Sequence, residues 1–116
     1  MRIEYPAFGR IVVDGTEYHH DLVLEEGRLR ERDKGPSKGL KDRFGHTPLS
    51  VEEEIPWSRR LVIGSGYSGR LPILPEVEEE AKARGVDMVV MPTAEAVGLL
   101  NEDDLSETNA VLHVTC

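Results

Sequence analysis

Apolar and polar positions follow two different rhythms along the chain. Early on, Ile11, Val12 and Val13 run into Asp14-Gly15 and then Thr16 to Tyr18. Asp-Gly between β-prone residues predicts a tight hairpin, because both turn positions must accept positive φ. Leu22 and Leu24 alternate with their neighbours, Glu26-Gly27 turns the chain and Leu29 returns, which predicts a second β unit. The N-terminal third thus reads as a small antiparallel β region. Residues 33–48 hold three glycines and two prolines and read as a long loop. Ser50 and Glu53 have capping-box spacing, so a short helix is expected there, ended by Pro56.

Later the pattern changes to blocks. Arg60 to Ile63 predicts a short strand that enters Gly64-Ser65-Gly66-Tyr67-Ser68-Gly69. Pro75 to Arg84 predicts a helix. Its proline and acids open it, Lys82 and Arg84 close it, and Gly85 stops it. Leu74, Val77 and Ala81 share one face, and Glu78–Lys82 and Glu80–Arg84 have the spacing of ion pairs. Val86 to Met91 is almost continuously apolar, which predicts a strand buried on both faces. Thr93 is placed as the cap of a second helix with Ala96, Val97 and Leu100 inside, and Asn109 to Val114 reads as the last strand. Strand, helix, strand, helix, strand predicts an α/β sheet with right-handed crossovers.

Composition narrows the function. The chain has 116 residues, enough for one domain over 1–116, with net charge −8 from 14 Lys and Arg against 22 Asp and Glu. That balance argues against general nucleic-acid binding, which cation excess drives. Half of the bases lie between Arg28 and Arg43, mixed with acids such as Glu31 and Asp33, as on a solvated surface loop. No apolar run approaches the length of a membrane span, and the first residues do not read as a secretory leader. Cys116 stands alone, so neither an internal disulfide nor a cysteine zinc site is expected, and a cytoplasmic setting is the default.

The glycine loop is the one motif that points at a ligand. Gly64-x-Gly66-x-x-Gly69 after a strand matches the form of a dinucleotide fingerprint. The helix begins too late to aim its amides at a pyrophosphate, so no nucleotide cofactor is expected. A candidate ligand-binding set remains: Gly64, Ser65, Gly66 and Gly69 with their amides, Thr93 and Glu95 at the next helix start, and Arg70 as an anion contact. Ser65 and Ser68 do not form a nucleophile elbow. His19 and His20, adjacent on a strand, point to opposite faces, His46 lies in the long loop, and His113 is read as a buried, hydrogen-bonded side chain. No catalytic constellation and no metal set emerges. Trp57 reads as a packing anchor.

Four stretches together carry a resemblance: Phe8-Gly9-x-Ile11-x-Val13-Asp14-Gly15-x-x-Tyr18, Leu61-Val62-Ile63-Gly64-Ser65-Gly66, Pro92-Thr93-x-Glu95-Ala96, and Leu112-His113-Val114-Thr115-Cys116. In this order they resemble the MTH-nine-three-eight-like family of small domains of unknown function. Gly45 to Ser50 looks like its prokaryotic subgroup. The resemblance implies a three-layer α/β single domain with a central mixed sheet, N-terminal antiparallel β hairpins and helices covering the sheet. It also implies that the last strand runs antiparallel to its neighbours. It brings no established enzyme activity, and its relatives include a mitochondrial complex I assembly factor and an adipogenesis-associated protein. The expectation is a non-catalytic protein-interaction or assembly module, with an unidentified protein partner placed ahead of a small-molecule ligand. No nucleic acid, membrane, metal or cofactor is expected, and the chain is expected to be a monomer or weak homodimer. The alternative is a small-molecule or anion binder, or an enzyme, with its site at the Gly64–Gly69 loop and the Thr93 helix start.

Overall fold

A computed structural model describes residues 1–40 and 47–116. Strands β1 (Ile3–Ala7), β2 (Arg10–Val13) and β3 (Thr16–Tyr18) form an antiparallel meander in the order β1-β2-β3. Asp14 and Gly15 turn β2 into β3 with φ of 49° and 84°, as the dipeptide demands. A second sheet has the order β5-β4-β8-β6-β7, where β4 is Leu22–Glu25, β5 Arg28–Glu31, β6 Arg60–Ser65, β7 Asp87–Met91 and β8 Thr108–His113. The antiparallel start is therefore divided: its first hairpins make their own sheet, while β4 and β5 extend the main one.

Two helices among the described residues connect the parallel strands, α1 (Pro75–Ala83) and α2 (Thr93–Glu102). Gly85 (φ 68°) donates to Lys82 O and Val86 donates to Ala81 O, the paired bonds that terminate a helix at a left-handed residue. On one face of the main sheet, α2 and the three-stranded sheet bury Ile3, Ile11, Leu24, Val62, Leu100 and Leu112 together. On the other, α1 and the 49–57 segment cover Val23, Leu61, Ile63 and Val111 with Leu49, Ile55 and Val77. The result is a layered α/β fold around a mixed sheet.

The strand directions resolve a conflict between the two expectations. β8 is parallel to β6 and antiparallel to β4, so only one of its neighbours opposes it. The crossover through α2 returns the chain in the direction of β7, which makes β8 parallel on that side. Burial is also redistributed. β7 is the edge strand and Val90 is 43% exposed, so its apolar run is not buried on both faces. The fully buried strand is β8, despite Thr108, Asn109 and His113. β4 is interior as well, which is why Val23 is buried between Leu22 and Leu24.

The long loop contains a 3₁₀ helix over Gly35–Leu40, and His46 lies outside the described residues. No helix forms after Ser50. The Glu53 amide closes a turn onto Ser50 O, and the Glu53 carboxylate is drawn to Arg32 instead of capping a helix. Thr93 is the first helical residue rather than the cap, a place taken by Pro92.

Candidate functional site

β6 carries the glycine loop into the interior. Residues 61–66 are buried, and only from Tyr67 onward is the chain exposed. Gly64 packs so tightly that a Cβ there would stand 3.0 Å from both Leu112 Cδ2 and Thr93 Oγ1. Gly66 (φ 109°) lies directly under the chain's last residues, and a Cβ would fall 2.3 Å from the Cys116 carbonyl carbon. The loop amides are spent on this arrangement. Gly66 N–H donates to Thr93 Oγ1, Tyr67 N–H to Thr115 O, and Ser68 and Arg70 N–H to Cys116 O. Gly69 N–H donates to Gly66 O. The Thr93 hydroxyl donates to His113 O, so one buried threonine joins the loop, α2 and β8. Ser65 is buried in register with His113, whereas Arg70 and Glu95 are exposed. Of the sequence-predicted set, Gly64, Ser65, Gly66, Arg70 and Thr93 are brought together along residues 112–116, with the loop amides already paired, whereas Gly69 bonds within the loop and Glu95 only to Pro92.

A second cluster was not visible in the sequence. Asp21 immediately before β4, Arg32 immediately after β5 and His113 at the end of β8 occupy neighbouring positions, beside the pairs Leu22↔Glu31 and Leu22↔Leu112. They face the layer of Val23 and Val111, where the 49–57 segment adds Glu53. Arg32 donates to Glu53 through Nε (2.8 Å) and Nη2 (2.8 Å), to Asp21 Oδ2 (2.9 Å) and to Pro48 O (3.0 Å). His113 Nδ1 donates to Asp21 Oδ2 at 2.8 Å, and Val114 N–H donates to Asp21 Oδ1. The Ser37 hydroxyl donates to Glu53 and touches that of Ser50. Burial pushes the Asp21 carboxyl up, but the hydrogen bond and charge of His113, the Val114 amide and Lys34 outweigh it and hold the carboxyl down at about 2. Burial lowers the Arg32 guanidinium, and Glu53 and Asp21 more than restore it, leaving it raised.

Asp21, His113 and Ser65 follow one another across three strands, the order of a hydrolytic triad. No hydrogen bond joins Ser65 to His113 among the described residues; His113 Nε2 instead lies 3.3 Å from Thr115 Oγ1. The amide after Ser65, which an oxyanion would need, is held by Thr93. A cleft of about 660 Å³ opens beside Asp21 and Arg32, lined also by His20, Lys34, Lys38 and Thr47. Glu31 and Asp33 on its wall offset the two lysines.

The third grouping is aromatic. Tyr67 in the glycine loop meets Tyr5 of β1 edge-on at 6.4 Å and Phe8 of the β1–β2 turn at 6.0 Å. Tyr67 is 61% and Phe8 54% exposed. Tyr5 anchors the group by donating its hydroxyl proton to Val114 O. Three of the six aromatic residues therefore gather in one cluster. They come from separate elements, so no short stretch of the sequence shows them together.

This layered fold and these paired clusters define a small α/β domain with a closed glycine loop. Among solved structures, the conserved hypothetical protein PH1505 from Pyrococcus horikoshii OT3 is similar over 100% of both chains, with 32% identity and a TM-score of 0.82. A protein named MT938 matches 99% of this chain and 98% of its own at 25% identity and a TM-score of 0.72. An outer membrane protein from Bartonella henselae shares the fold at 19% identity and a TM-score of 0.61, over 99% of this chain and 97% of its own. No protein-family model matches the chain. The chain belongs to the MTH-nine-three-eight-like family, whose solved relatives include conserved proteins of unknown function. Among the described residues, no helix is long and apolar enough to cross a membrane.

Proposed function

We propose that this domain is a protein-interaction or assembly module that docks through Tyr5, Phe8 and Tyr67. One observation carries the reading: two large rings, Phe8 and Tyr67, stand more than half exposed in edge-to-face contact, and Tyr67 also leans edge-on against Tyr5. Clustered aromatics on a rigid base are the usual energetic centre of a protein interface. The base here is stiff, because Gly66, Thr93 and the chain's last residues lock the loop that presents Tyr67. The anion-binding alternative has less support, since the amides it requires are engaged within the chain.

The test is differential capture. Wild-type protein and the double variant Phe8→Ala/Tyr67→Ala serve as baits in native lysate beside a charge-matched control. The expected result is a protein retained by wild type and lost by the variant. If no protein distinguishes the two baits, the reading fails.

A further inference from the structure

The free edge of the main sheet has the chemistry of a self-pairing strand. β7 bonds to β6 on one side, and among the described residues no strand pairs with the other. Exposed edges are ordinarily protected by lysine, proline or a bulge. β5, the opposite edge, carries Arg28, Arg30 and Glu31. β7 reads Asp-Met-Val-Val-Met, with its one charge at the start. α1 packs on β7, and between them lies a groove of about 330 Å³ lined by Ala81, Met88 and Val90 and by the charged Glu78 and Lys82. The sequence spacing predicts an ion pair between Glu78 and Lys82. No such pair forms among the described residues, whereas Arg84 and Glu80 do bond at 2.8 Å.

We infer that β7 is a homodimer edge, occupied by β7 of a second copy in antiparallel register. A two-fold interface requires a surface complementary to itself. Pairing centred on Val89 sets Met88 opposite Val90 of the second copy and Val90 opposite its Met88, so apolar side chains meet on the groove side of both sheets. The same axis makes the two α1 helices antiparallel. Glu78 of each copy then faces Lys82 of the other, giving both charges a partner that neither has among the described residues. The union makes one ten-stranded sheet from two five-stranded ones. This surface shares no residue with the aromatic cluster, so the two proposals are tested by different variants and stand or fall separately.

Sedimentation velocity of the full chain over a concentration series is the test. Wild type is expected to show a concentration-dependent rise from monomer to dimer mass. Val90→Lys, at an already exposed position, is expected to remain monomeric with an unchanged far-UV spectrum. Glu78→Lys and Lys82→Glu, each alone, should weaken the dimer by several-fold, and the double exchange Glu78→Lys/Lys82→Glu should restore it. A wild-type monomer at every concentration overturns the inference. So does a dimer that survives Val90→Lys, or charge reversals that change nothing.

Discussion

Asp21 and Arg32 show how far a residue's role depends on what surrounds it. Arg10, paired with Glu17 at the surface, and Arg32, enclosed between Asp21 and Glu53, are the same side chain in opposite circumstances. Removing a partner from an exposed pair costs under about 1 kcal/mol, because water replaces it. Removing one from a buried pair costs about 3–5 kcal/mol, because an uncompensated charge is left in the interior. Urea unfolding is expected to separate Arg10→Met from Arg32→Met in this way. Acid should act through Asp21. Its folded pKa of about 2 lies below the ordinary 3.8, so the folded state binds this proton more weakly than the unfolded chain does. The stabilisation is complete above the unfolded value and disappears as pH falls from 3.8 through about 2. It amounts to on the order of 2 kcal/mol. Unfolding free energies measured along an acid series should show this loss in wild type and a shallower slope in Asp21→Asn. Nothing local marks these residues in the sequence. Arg32 sits in a run of mixed charge, and Glu53 has the spacing of a helix cap, which supplied a sufficient local role for it.

At the scale of elements, the glycine loop separates two uses of glycine. Gly66 and Gly69 both have positive φ, but only Gly66 is also pressed against another segment. A methyl at Gly69 finds its nearest neighbours at 3.5 Å, so Gly69→Ala should cost only the left-handed backbone penalty, about 1 kcal/mol. Gly66→Ala must in addition displace Thr115 and Cys116, freeing the acceptors of three amides. A loss of at least about 3 kcal/mol is expected, with hydrogen exchange at Tyr67, Ser68 and Arg70 accelerated in that variant and not in Gly69→Ala. The Gly-x-Gly-x-x-Gly spacing revealed a loop with special backbone needs. It could not reveal that the close approach is made by the chain's own last residues rather than by a ligand. That distinction depends on where residues 113–116 pass, and only the position of β8 beside β6 settles it.

Across the whole molecule, the surface proposed for recognition is separate from the parts that hold the fold. The two apolar layers and the buried ionic cluster hold the sheet, while Phe8 and Tyr67 of the ring cluster are exposed. Phe8→Ala/Tyr67→Ala should therefore shift unfolding by no more than about 1 kcal/mol while removing partner capture. Gly66→Ala should impair both. The sequence alone determined what depends on near neighbours: the Asp14-Gly15 and Glu26-Gly27 turns, the extent of α1, the presence of α2 and the inner faces of both through Val77, Ala81, Ala96, Val97 and Leu100. Periodicity and turn chemistry act over a few residues, so a linear reading contains them. The tertiary structure decided which strand is central and which lies at the edge. It also brought Asp21 to His113 across 92 positions and gathered three rings from separate elements. Those outcomes depend on strand order, and strand order is set by which layers can cover one another, a property of the assembled sheet that no short window of residues carries.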